Sequence, residues 1–136
     1  MQSKSRFLLL LAGLCASGSV MAAGPAVTAV FQVVDPVTDR RTPTLEARLD
    51  QKVCLSIDAG LVSVGEHSMQ LTVYDGAGNE VGRYMRHRIV SDGSLRRLGC
   101  HDFDANHDVV GTWWYVVELD GEPLVSTSIE VRPARD

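Results

Sequence analysis

Two triplets, His67-Ser68-Met69 and Met85-Arg86-His87, read as mirror images across the glycine-containing segment Asp75-Gly76-Ala77-Gly78-Asn79. On the two arms of one hairpin in even register, His67, Met69, Met85 and His87 would gather imidazole and thioether groups, a donor set suited to copper(I). The same alternation puts Met69 and Met85 on a face with Leu71, Val73, Val81 and Ile89, where methionine is an ordinary filler of core gaps. Core packing is the plainer reading, and copper binding is the sharper alternative. A second constellation, Asp102, Asp104, Asn106 and Asp108, has the spacing of the first half of a calcium loop. His107 stands where such a loop needs glycine, and Trp113 stands where it needs a bidentate glutamate. The segment therefore reads first as an acidic connection between strands, with His101 and His107 as a weaker zinc alternative. The third group is basic: Arg83, Arg86, Arg88, Arg96 and Arg97 lie close together. If Met85 and His87 face inward, Tyr84, Arg86 and Arg88 alternate outward as a ribbon able to grip phosphate or carboxylate groups. A solvated strand face is the plainer alternative. No Gly-x-Ser-x-Gly, His-Glu-x-x-His or phosphate-cradling glycine loop occurs, so neither enzymatic activity nor a cofactor is expected.

The elements that hold these residues begin after a leader. Lys4 and Arg6 precede the apolar run Phe7 to Ala16, and Val20-Met21-Ala22 supplies small residues for cleavage, the layout of a secretory signal peptide over residues 1–22. The cut is expected after Ala22, with Ala23 as the second choice. The run is shorter than the roughly 20 apolar residues a membrane span needs. Leu14 is too bulky to precede a lipid-modified Cys15. Loss of Lys4 and Arg6 takes the formal charge of -4 two units further negative, which disfavours nucleic acid and anionic membranes as partners. It also leaves Cys54 and Cys100 as a pair in an oxidising compartment, periplasmic or secreted, where an even pair reads as a disulfide. A bridge closing residues 54–100 into one loop is worth about 4 kcal/mol in the chain-entropy account.

Residues 23–136 are the right length for one domain, and their 136-residue parent chain, with 45% hydrophobic and 22% charged residues, excludes disordered and multidomain classes. Val27 to Val34 is β-branched and stops at Asp35-Pro36. Val53, Leu55 and Ile57 alternate, with a possible backward extension through Leu45, Ala47 and Leu49. His67 to Val73 and a return strand from Val81 form one hairpin, and Gly111 to Leu119 with Leu124 to Val131 form another, turning at Asp120-Gly121. No stretch carries a helical period. Six or seven short strands and one long-range disulfide predict an all-β, antiparallel two-sheet sandwich of immunoglobulin-like type, with a small β-barrel as the alternative.

The run Gly111-Thr112-Trp113-Trp114-Tyr115-Val116-Val117, followed by Asp120-Gly121 and alternating Val125, Thr127, Ile129 and Val131, resembles the last hairpin of small bacterial exported immunoglobulin-like domains. It departs from antibody domains: no tryptophan lies midway between the cysteines, and Tyr115 follows Cys100. The resemblance implies a body that binds, spaces or caps other molecules. In the hairpin, a type I turn followed by left-handed Gly121 makes opposed residue numbers sum to 240 and puts Trp113, Tyr115 and Val117 on one face with Val125 and Thr127. A two-residue turn would give 241 and place Trp114 there instead. The first register builds the larger apolar face and leaves Trp114 outward, where it could anchor a partner. The expectation is thus a non-enzymatic periplasmic or secreted binding or accessory module. Its contact with a protein or envelope component would run through exposed strand edges, Trp114, Tyr84, Arg86 or Arg88. A copper-handling protein, or a structural subunit or inhibitor, are the competing readings.

Overall fold

The computed structural model describes residues 26–135, so the expected leader lies outside the described residues. Nine strands run in chain order: β1 (Ala26–Val34), β2 (Arg41–Pro43), β3 (Glu46–Arg48), β4 (Lys52–Gly60), β5 (Gly65–Tyr74), β6 (Glu80–Ser91), β7 (Ser94–Asp102), β8 (Gly111–Leu119) and β9 (Glu122–Arg132). They form a four-stranded sheet ordered β2-β1-β4-β7 and a five-stranded sheet ordered β3-β9-β8-β5-β6. The molecule is an all-β, immunoglobulin-like two-sheet sandwich. Two separate sheets with free end strands set the barrel alternative aside. Among the described residues there is no helix long and apolar enough to cross a membrane.

The count exceeds seven because two three-residue strands lie between β1 and β4. The apolar positions Leu45, Ala47 and Leu49 are not a backward extension of β4. Ala47 belongs to β3, which pairs in parallel with β9 in the opposite sheet, the one departure from antiparallel order. The chain thus crosses between sheets at Thr44. There Thr44 N–H donates to the Phe31 carbonyl at 2.9 Å, and the Thr44 hydroxyl donates to the Glu46 carbonyl at 2.6 Å. β7 is also new, since its arginines blur the alternation that would reveal it. The turn after β1 is fixed by Asp35, whose carboxylate accepts the N–H groups of Val37 and Thr38.

Between the sheets, Trp113 is 1% exposed, and its indole N–H donates to the Val109 carbonyl at 2.8 Å, so its one polar atom is satisfied in the core. Phe103 meets its face edge-on at 5.0 Å, and Tyr115 meets Phe31 similarly at 5.1 Å. Cys54 and Cys100 are bonded and directly opposed on neighbouring strands β4 and β7. Because Val53, Leu55 and Ile57 point inward, the bridge lies on the outer face of one sheet. It staples two adjacent strands rather than joining the two layers.

Both hairpins carry bulges that decide which side chains face the core. In β8–β9 the turn is a two-residue one, with Asp120 at φ 52° and Gly121 at φ 81°. That is the turn type set second in the sequence reading. Leu124 is then an extra residue, so opposed numbers sum to 241 beside the turn and to 242 beyond it. The parity equals that of the expected 240, and Trp113, Tyr115 and Val117 still share a face with Val125 and Thr127. In β5–β6, Tyr74 and Glu80 begin in the expected even register, but Val81 is an extra residue that reverses parity through Arg86. A second extra residue at His87-Arg88, with Arg88 at φ 59°, restores it before Ile89.

Candidate functional site

The reversed stretch of β6 changes the surface expected there. Met69 opposes Arg86, and Leu71 opposes Tyr84, so Tyr84 and Arg86 turn toward the inner side of the sandwich while Met85 turns outward and is exposed. The outward ribbon of Tyr84, Arg86 and Arg88 is therefore not formed. Met69 is buried and Met85 lies on the opposite face, so the shared face on which the copper reading rested is absent as well. His67 is occupied elsewhere: one ring nitrogen meets Asp120 at 2.5 Å and the other meets the Ser63 carbonyl at 2.7 Å. Asp120 pushes the His67 pKa up chiefly through this hydrogen bond, and is itself held below the usual carboxylate range by it. Among the described residues no group of three or more His, Cys, Asp or Glu side chains is placed to hold a metal ion.

The acidic segment is a connection between β7 and β8. Asp104 accepts the N–H of Asn106 at 2.9 Å and meets the His107 ring at 2.8 Å. These contacts, the backbone bond foremost, keep its pKa low. Asp108 accepts the Asp104 N–H at 2.9 Å and meets His101 at 3.0 Å. The carboxylates of Asp104 and Asp108 are thus turned to the loop's own N–H groups and histidines, whereas a calcium loop would turn them to a common centre with Asp102 and Asn106.

What the structure does assemble is a cleft between the sheets. β6 and β7 are the end strands of their sheets on the same side, and they are not paired along their length. Between them lies a cavity of about 370 Å³, toward the small end of the ~300–1,000 Å³ typical of ligand pockets. Its walls are largely apolar, with Phe31, Leu55, Leu71, Val73 and Val117 among them. Two glycines line it. Gly99 faces inward opposite Leu55, and a Cβ there would meet nothing within 4 Å. Gly82 opposes Val73, and a Cβ there would come within 2.8 Å of the Tyr84 ring, which folds back over it.

Strand register orders the lining along the cleft. His101, paired to Asp108, lies at one end beside Trp113, with ring centroids 5.6 Å apart. Gly99, Tyr115 and Gly82 occupy the middle, since Tyr115 opposes Val73 and packs on Phe31, itself opposite Leu55. Arg97, opposite Ile57, and Arg86, opposite Met69, lie toward the other end. Burial, with Asp108 and Tyr84 nearby, pushes the Tyr115 hydroxyl far above its ordinary pKa, so it is a neutral phenol. Arg97 donates through Nη1 to the Arg96 carbonyl at 3.1 Å, but its Nε is buried with no hydrogen-bond partner among the described residues. By contrast, Arg83 is paired with Glu80 and Arg96 with Asp58.

Trp114 is 46% exposed on the outer face of the five-stranded sheet, between Tyr74 and Ser128, and so does not share a site with Tyr84 and Arg86. Arg88 is exposed at its bulge. Arg97 stands out in sequence only as one of five clustered arginines, and Gly99 and Tyr115 have no sequence signal as a site, because each is recognised by what stands opposite it.

No family model matches the chain, and no curated protein matches it. Among solved structures, an immunoglobulin-like protein of Pseudomonas aeruginosa is similar with a TM-score of 0.49 and 15% identity, covering 82% of this chain and 100% of that one. The alkylpurine DNA glycosylase AlkC of Pseudomonas fluorescens, solved bound to DNA containing an abasic site analog, is similar with a TM-score of 0.51 and 13% identity. That match covers 80% of this chain and 31% of the glycosylase, so the chain spans about a third of that protein's length. At these identities the likeness is one of fold.

Proposed function

We propose that this chain is an exported, non-catalytic binding module that holds its ligand in the cleft between β6 and β7. One observation carries the proposal: a largely apolar cavity lies on the unpaired side of the sandwich and is lined in part by Arg97, whose Nε has no hydrogen-bond partner among the described residues. Buried polar atoms in native proteins nearly always find a partner, so an unsatisfied guanidinium on a residue that lines an apolar cavity fits a site completed by a ligand. Export is supported by the leader-like residues 1–22 and by the Cys54–Cys100 bond, which persists in oxidising compartments. Strand addition at β6 is a poorer fit, because two bulges and Arg83, Arg86 and Arg88 blunt that edge in the manner of edges protected from pairing.

A neutral, polarity-sensitive dye such as Nile red tests the cleft itself. Saturable binding is expected for the wild type and for Trp114→Ala, with at least tenfold weakening in Gly99→Phe, whose ring would fill the cavity without a backbone clash. Equal binding by Gly99→Phe and wild type, with both folded by circular dichroism, would remove the cleft as the site.

A further inference from the structure

The cleft is uneven along its length, and its polarity says what class of ligand it would take. Resting on the binding role proposed above, we infer that the cleft takes a single-chain anionic amphiphile, its acid group at the Arg86–Arg97 end and its hydrocarbon chain running past Gly99 and Gly82 toward Trp113.

Five observations converge on this. Arg86 and Arg97 both line the cavity, and neither forms an ion pair among the described residues. Arg97 sits on an inward-facing position of β7, opposite buried Ile57, and its Nε has no hydrogen-bond partner among the described residues. Both side chains line the cavity, and a guanidinium fork is a planar donor of the kind that grips a carboxylate or phosphate in two places. Between this end and His101 the wall is apolar on both sheets, and four residue steps along β7 give a length of about 13 Å. An extended hydrocarbon chain matches an apolar run of that length. The far end carries Asp108, which repels a second acid and so orients the ligand with its acid at the arginines.

A free carboxylate and a phosphate headgroup present the same recognition chemistry, so the test separates them. Dodecanoate, dodecyl phosphate and neutral dodecanol are titrated as monomers against the full chain, by displacement of Nile red. Dodecanoate or dodecyl phosphate, or both, is expected to bind at least tenfold more tightly than dodecanol, and whichever is tighter identifies the headgroup. In Arg86→Gln/Arg97→Gln that ratio falls to near one. Arg86→Gln alone lowers it partway, and because Arg86 is exposed this variant keeps the test open should the double variant fold poorly. Dodecanol binding as tightly as both anions to the wild type, or an undiminished ratio in the double variant, overturns the inference while leaving a neutral-ligand cleft standing. Displacement by none of the three while the dye still binds also overturns it, and directs attention to an apolar side chain of a protein partner. Failure of the dye to bind at all instead removes the cleft reading itself.

Discussion

The two flanks of the sandwich solve the same problem differently. On one flank the chain itself crosses between layers: β2 ends in one sheet at Pro43 and β3 begins in the other at Glu46, with Arg132 paired to Glu46 at 2.8 Å. Ala47 beneath that crossing is 0% exposed. On the other flank β6 and β7 are joined only by the turn after Ser91, and the layers part over a cavity edged by Gly82 and Gly99. The difference teaches where function can be placed. A flank crossed by the chain itself is covered from solvent, whereas a flank of end strands can open as far as its inward residues are small. The disulfide belongs to the open flank, because it ties end strand β7 to β4 and so keeps the cleft wall in place.

Removing that tie should break the comparison most severely. Cys54→Ala with Cys100→Ala is expected to lower stability by about 4 kcal/mol, seen as a reduced urea midpoint, with amide exchange rising first along β7. Uniform loss of protection across both sheets would show that the bridge does not act through the open flank. Filling each flank comes next. Ala47→Leu overpacks a site with no spare volume and should cost ~1–3 kcal/mol, with dye binding retained. Gly99→Phe enters open space, so its effect on stability should stay within about 0.5 kcal/mol although binding is lost. Comparable destabilisation by both substitutions would mean that the flanks are equally packed.

The smallest effect concerns pH and the Asp120 turn. The His67 pKa is raised in the folded state, so its contribution is full below the ordinary histidine value and fades as pH rises through the raised one. The Asp120 pKa is lowered, so its contribution is full above the ordinary aspartate value and fades as pH falls through the lowered one. Melting temperature should therefore be highest between roughly pH 4 and 6.5 and decline above that. His67→Gln should flatten the upper decline, and an unchanged profile would deny the pair its role. Cleft binding should not follow this titration, because His67 lies with Asp120 and Ser63 outside the cleft lining.

How much was legible beforehand differs between the two hairpins. In β8–β9 the outward Trp114 and inward Trp113, Tyr115 and Val117 follow from apolar alternation, although turn type and register differ from the sequence expectation. The Leu124 bulge adds one residue to a two-residue turn and lands on the parity that the apolar face demands. In β5–β6 the same reasoning fails, because Val81 reverses parity in a stretch where Tyr84, Arg86 and Met85 give no strong preference for either face. That single extra residue separates Met69 from Met85 and turns Tyr84 and Arg86 from an outer ribbon into a cleft wall.

By itself the amino-acid order determined the all-β character, the main strands, the cysteine pairing and the burial of Trp113. Each of these rests on local alternation, turn chemistry or a count of two sulfurs. Only the tertiary structure decided that the bridge lies within one sheet, that residues 41–48 seal one flank, and that Gly82, Gly99, Arg86 and Arg97 face a common cavity. Those features depend on which strand stands opposite which, and a bulge of one residue, nearly invisible in sequence, is enough to turn a side chain from solvent to interior.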